Sequence, residues 1–344
     1  MPLVTTSSYR PPWWLRGAHL QTLWPALCRR VPIGRLRRER IELVDGDFLD
    51  LDWSSATAAT GTLVASRSRR VVIVSHGLEG NSRRVYVRGL VQAMNRRGWD
   101  AVAWNFRGCS GEPNRRPRAY HSGETEDLAA VVAQVVKRGR YESVALAGFS
   151  LGGNVTLKLL GEWGSAAAAN CIRGAVVNSV PCDLKPAAEA MSRMATQPYL
   201  KFFLRTLTRK AAAMATQFPD RFPRALTDRA WRGIGTFREF DDCFTAPLHG
   251  FCDAEDYWAQ ASSKPYLNRI AVPTLILNAR NDPFLTPECF PFAQAALSSH
   301  VWLEVPATGG HVGFCPAGDR TEYWHERRAA DFLEGVAAEK DRLL

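Results

Sequence analysis

The sequence predicts an α/β protein: a mostly parallel, doubly wound sheet with an N-terminal β-hairpin and a helical cap inserted near its middle. Three observations carry this. Short apolar runs alternate with helical stretches, a hairpin pattern precedes them, and about 95 residues between Asn178 and Thr274 interrupt the alternation. Taken in order, residues 1–40 form a basic arm. Arg40–Trp53 (RIELVDGDFLDLDW) alternates apolar and polar residues about Asp45-Gly46, which reads as a hairpin. The apolar runs Val71–Ser75, Ala101–Trp104, Val144–Ala147, Ala175–Asn178, Thr274–Asn278 and Val301–Val305 suit strands covered on both faces. Helical stretches are expected at 82–97, 123–138, 152–163, 287–298 and 321–337.

The interrupting interval is rich in aromatics, among them Tyr199, Phe203, Trp231 and Phe240, and is too long for a simple loop. Leu200, Phe203, Leu204, Leu207, Ala211 and Met214 share one helical face there, with Lys201, Arg205, Thr208 and Arg209 on another. The expected organisation is an arm over 1–40, a core over 41–181 and 266–344, and a cap over 182–265.

The 344 residues are 46% hydrophobic and 23% charged, an ordinary globular composition. No run approaches a membrane span, and no basic start followed by an apolar stretch marks a secretory signal. Eight cysteines are scattered without CxxC pairs or zinc spacing, so a reduced, cytoplasmic protein without metal or other cofactor is expected. The net charge is +10. Eight arginines (10, 16, 29, 30, 35, 37, 38, 40) against Glu39 place +7 of it in the first 40 residues. An arm with Trp13, Trp14 and Trp24 commonly wraps a domain, burying its tryptophans and leaving its arginines in water. Its second use is peripheral contact with an anionic membrane. Nucleic acid is not expected as a partner, since no binding motif accompanies the charge.

The chemistry-bearing signal is Gly148-Phe149-Ser150-Leu151-Gly152-Gly153, set between an apolar strand and a helical run. A serine at such a strand-to-helix turn is an exposed nucleophile, with the free N–H groups of the following helix aimed at it. It needs a base and an acid, in the chain order serine, acid, histidine. His311, in the turn Thr308-Gly309-Gly310-His311, is the expected base; His325, within a charged helical run, reads as a solvated residue. Asp282 follows the strand Thr274–Asn278 and is the expected acid. Asp241, Asp242, Asp253 and Asp256 fall in the cap away from any strand end. An oxyanion hole requires the N–H of Leu151 and one from His76-Gly77-Leu78-Glu79-Gly80, for which Leu78 is the choice. Gly77 lets that loop turn inward, and His76, ahead of the serine, is expected to pin it.

With these residues in place, the chain resembles the YheT-like branch of the α/β-hydrolases, which includes eukaryotic acylglycerol and phospholipid hydrolases and yeast medium-chain ethyl-ester synthase/esterases. The matching stretches are Gly17-Ala18-His19-Leu20-Gln21-Thr22, HGLEG at 76–80, NFRGCSG at 105–111 and YHSGETEDL at 120–128. They continue with GFSLGGN at 148–154, FTAPLHGF at 244–251, NARNDPF at 278–284 and GGHVGF at 309–314. The resemblance implies an α/β-hydrolase fold and a Ser150–Asp282–His311 triad. The expected activity is hydrolysis of small-molecule carboxylic esters, with medium-chain acyl groups, through an acyl-enzyme. Acyl transfer or thioester cleavage by the same triad is the alternative, and a catalytically silent, membrane-associated binding protein is the reading from another class.

Overall fold

The computed structural model describes residues 3–32, 34, 36–56, 68–222, 233–318 and 320–341. Arg35 and Trp231, named above, lie outside the described residues, as do the outermost residues of the arm and core ranges. In chain order the elements are β1 (Leu3–Val4), α1 (Ala18–Cys28), β2 (Arg37–Glu42), β3 (Phe48–Ser54), β4 (Arg70–Ser75), α2 (Val85–Arg96) and β5 (Asp100–Trp104). Then come α3 (Thr125–Val136), β6 (Ser143–Phe149), α4 (Leu151–Trp163), β7 (Ile172–Asn178) and the inserted helices α5 (Leu184–Met191), α6 (Gln197–Gln217) and α7 (Ala254–Ala261). The chain returns through β8 (Thr274–Leu277), α8 (Phe292–Leu297), β9 (Val301–Glu304) and α9 (Trp324–Asp341).

The nine strands form one sheet in the order β1-β9-β8-β7-β6-β4-β5-β3-β2. Pairing is parallel from β1 to β5, while β3 runs antiparallel to both β5 and β2. Alternate residues of one strand serve opposite faces. Ile73 joins Leu128, Val132 and Leu157 beneath α3 and α4, whereas Val72 and Val74 join Leu90, Met94 and Leu333 beneath α2 and α9. That two-sided burial is why these strands lack polar alternation. The inserted helices pack a separate cluster around Leu200, Leu204, Phe240 and Phe244, and Lys201, Arg205 and Arg209 face solvent as the amphipathic pattern requires.

Three expectations need correction. His325 is not solvated; it is fully buried between Phe149, Phe314 and Tyr323, because α9 lies flat on the sheet and this residue faces inward. The expected hairpin forms as β2 and β3, with β2 largely exposed. Asp50 and Asp52 of β3 are buried beneath Arg40 and Arg38, so the alternation reflects ion pairing. The arm's arginines are accordingly not all in water: Arg29 is buried against Glu326, while Trp13 is 80% exposed and Trp14 and Trp24 pack edge-on, half-buried. Finally, the helix expected over 287–298 is only α8 preceded by a 3₁₀ turn at Pro287–Cys289; Pro291 stands between them and has no N–H to continue a helix. No helix among the described residues is long and apolar enough to cross a membrane.

Candidate active site

Ser150 sits between the end of β6 and the start of α4 with φ at 51°, a conformation that costs a side-chain-bearing residue about 1–3 kcal/mol. The surroundings fix it. Its N–H donates to the Asn178 carbonyl at 2.8 Å, and its own carbonyl accepts from Gly153 and Asn154 at 2.9 and 3.1 Å. Glycine is required at 152, where a Cβ would lie 2.3 Å from the His76 carbonyl oxygen. The turn is therefore wedged against the His76–Gly80 loop, and Gly77 approaches so closely that a Cβ there would stand 3.2 Å from the Ser150 Cβ.

Within that loop the N–H groups are almost all used. Gly77 donates to the Tyr86 hydroxyl at 3.1 Å, Glu79 to the Tyr120 hydroxyl at 2.9 Å, and Gly80 to the Gly77 carbonyl at 2.9 Å. Leu78 stands between them, facing the same cavity as Leu151, whose N–H as the first of α4 has no partner within the helix. His76 is fully buried. Its Nδ1 bonds the Gly77 carbonyl at 2.8 Å and its Nε2 accepts from the Phe106 N–H at 3.2 Å. Burial pushes its pKa down to about 3, so it is a neutral brace for the loop.

His311 and Asp282 meet as the strand ends suggest: His311 Nδ1 lies 2.8 Å from Asp282 Oδ2, while Asp282 Oδ1 accepts from the Phe284 N–H at 2.9 Å. The cap carboxylates have other work. Asp253 caps α7, Asp256 and Asp242 accept backbone N–H groups, and Asp241 accepts from Trp258 Nε1 and Thr245 Oγ1. Burial pushes Asp241 up to about 7. Sequence reasoning missed what holds His311. Its N–H donates to Thr22 Oγ1 at 2.9 Å, and Gln21 Oε1 accepts from both the Gly309 N–H and Asn281 Nδ2, at 2.9 and 3.0 Å. Asn281 Oδ1 in turn accepts from the Gly310 N–H at 3.0 Å, and Ser179 Oγ from Val312 at 2.8 Å. The signal was present in the Gly17–Thr22 stretch, which served only as a family resemblance.

Residues 70–316 match the profile of the alpha/beta hydrolase fold family. YheT of Escherichia coli is 38% identical over 318 residues, covering 92% of this chain and 90% of that one. The chain belongs to the YheT-like branch of the α/β-hydrolases. Two further relatives are a protein of Mus musculus named phospholipase ABHD3, 30% identical over 90% of this chain and 74% of its own, and a monoacylglycerol lipase of Saccharomyces cerevisiae, 30% identical over 78% and 59%. Among solved structures, an esterase of Pyrococcus furiosus superposes with a TM-score of 0.56 at 18% identity, over 88% of this chain and 91% of that one, a likeness of fold.

In this α/β-hydrolase, Ser150, His311, Leu78 and Leu151 share one cavity of about 900 Å³, whose other walls are largely aliphatic and aromatic, including Met191, Phe203, Leu207 and Phe284. The arm and the inserted helices meet over it, where His19 Nδ1 lies 3.2 Å from the Tyr199 hydroxyl. Lys210 of α6 reaches the His76–Gly80 loop, its Nζ 2.9 Å from Glu79 Oε1 and 3.4 Å from Cys109 Sγ; the Tyr120 hydroxyl donates to the same Glu79 oxygen at 2.7 Å. Burial opposes the charge of Lys210, but Cys109 and Glu79 outweigh it and hold the amine protonated. Burial pushes the Cys109 thiol up to about 11, which leaves it inert as a nucleophile. Cys315 is likewise buried and its thiol raised. One group of described residues, His121, Glu124 and His249, has metal-ligand spacing. Its carboxylate is already taken by Arg118, whose Nη2 lies 2.9 Å from both Glu124 oxygens, and His121 Nδ1 accepts from Gly123 at 3.1 Å.

Proposed function

We propose that this chain is a serine hydrolase of carboxylic esters, with medium-chain acyl groups as its substrates and Ser150, His311 and Asp282 as its triad. One observation carries the reading: Ser150 and His311 face the same apolar cavity, with Asp282 2.8 Å behind His311. Because Nδ1 is bonded to the carboxylate, Nε2 is the nitrogen left to take the serine proton. The Ser150 oxygen attacks the ester carbonyl, and the N–H groups of Leu78 and Leu151 receive the oxyanion. His311 then protonates the departing alcohol, and a water deprotonated by the same imidazole frees the acid. Residues 182–265 act as a cap supplying the apolar wall, and residues 1–40 as an arm closing the other side. Relatives named phospholipase and monoacylglycerol lipase support acyl esters as the substrate class.

The test is labelling with a fluorophosphonate, followed by p-nitrophenyl esters from acetate to palmitate. Ser150 takes the label, medium chains are hydrolysed fastest, and Ser150→Ala loses nearly all turnover, about 10⁴-fold or more. An unlabelled Ser150 rejects the reading. A labelled protein inert to every ester moves it to thioesters or acyl transfer.

A further inference from the structure

Nine large apolar side chains are exposed among the described residues, and five of them lie on α1 or on the segment from Met194 to Phe202 that leads into α6. Leu20, Leu23 and Leu27 form a stripe along α1 at helical spacing. Met194 and Phe202 stand just before and within the first turns of α6. Leu23, Leu27 and Phe202 also line the cavity, yet Leu27 is 78% and Phe202 59% exposed. The apolar interior thus runs out onto the surface along these side chains.

The charge carried by these two segments has one sign. Neither residues 1–38 nor residues 190–219 contain an aspartate or glutamate. Arg16 and Arg30 flank α1, Lys201, Arg205 and Arg209 project from α6, and Arg83 stands on the cavity wall, all of them exposed. A protein partner seated on the patch would plug the cavity. A lipid surface would instead fill it.

We propose that α1 and the start of α6 dock on the surface of an anionic phospholipid bilayer. The leucines, Met194 and Phe202 enter the headgroup boundary, the arginines and lysines meet phosphates, and acyl substrates pass from the lipid directly into the cavity. What enters the cavity rests on the ester-hydrolase reading; the docking does not.

The experiment uses the full chain carrying Ser150→Ala, so that vesicles stay intact, sedimented with vesicles of phosphatidylcholine alone or mixed with phosphatidylglycerol. The protein pellets with the anionic vesicles and is released as salt rises. Lys201→Glu with Arg205→Glu lowers that partition about tenfold or more, and Leu20→Ser with Met194→Ser lowers it as well. In the Ser150 background the charge-reversed protein still cleaves a soluble short-chain ester at the parental rate. Failure to pellet with anionic vesicles, or pelleting that neither pair of substitutions changes, overturns the proposal. So does a concentration-dependent dimer that these substitutions dissolve, since a second copy would then cover the patch. Normal vesicle binding by a protein whose Ser150 takes no fluorophosphonate would reject the proposed function and leave the docking standing.

Discussion

The arm and the cap both wall the cavity, but they are held over it by different physics. The arm is fastened by buried polar bonds. Arg29 meets Glu326 at 2.5 and 2.8 Å, Tyr9 donates to the Cys315 carbonyl at 3.0 Å, and Leu3–Val4 adds a strand beside β9. The cap is bonded at its base, where Asn154 donates to the Ala261 carbonyl at 2.7 Å and accepts from the Ser263 N–H at 2.9 Å, but over the cavity α6 rests on apolar packing, with the Lys210–Glu79 pair tying it to the His76–Gly80 loop. Low-dielectric hydrogen bonds fix atoms to one geometry, whereas apolar contacts tolerate exchange of shape at similar volume. The arm lies outside residues 70–316, yet it holds the loop that carries His311. It therefore belongs to the scaffold of the proposed triad, and the cap to the wall of the cavity.

The sharpest way to break that contrast is at the arm's buried pair. Arg29→Met leaves Glu326 buried and uncompensated, a loss of about 3–5 kcal/mol that thermal unfolding reads directly. Burial already holds the Glu326 carboxyl above its usual range, and removing the guanidinium raises it further. The folded variant then keeps a proton that the unfolded chain releases, so its stability falls as pH rises above the ordinary carboxylate pKa. Its deficit in Tm therefore shrinks as pH is lowered from 7 toward 5. A deficit independent of pH would mean that Arg29 acts by packing alone.

Gln21→Leu removes the acceptor shared by Gly309 and Asn281. Displacement of the His311 loop lowers kcat about 10²-fold, with KM nearly unchanged. If kcat is unaffected, the arm is only a cover. On the cap side, Lys210→Met lowers kcat about tenfold by freeing Glu79 beside the oxyanion donor, an effect of the size of one hydrogen bond to a charged group. Lys210→Arg recovers part of it. The smallest effect is at the wall itself. Leu207→Ala shifts the preferred p-nitrophenyl ester to longer chains by about tenfold in kcat/KM ratio, while Tm moves little. A uniform loss across chain lengths would place Leu207 outside the acyl path.

The proposed reactive residues were legible because each is announced by its neighbours in the chain. Ser150 stands between glycines at a strand end, Asp282 follows a strand into a proline turn, and His311 follows two glycines. Local backbone demands of that kind leave a local mark. His325 misled because charged neighbours say nothing about which face of a helix meets the sheet, and its ring is buried all the same. The acids of β3 show a related limit of local reading, since their arginine partners come from the facing strand.

The sequence alone determined the alternation of strands and helices, the serine turn, and the order of serine, acid and base, because these follow from short-range sterics and hydrophobic period. Tertiary structure decided how those parts are held. Gln21 and Asn281 are 260 positions apart, and Lys210 and Glu79 are 131 apart. No periodicity encodes a hydrogen bond across such distances; only the packed sheet brings its two ends to one cavity.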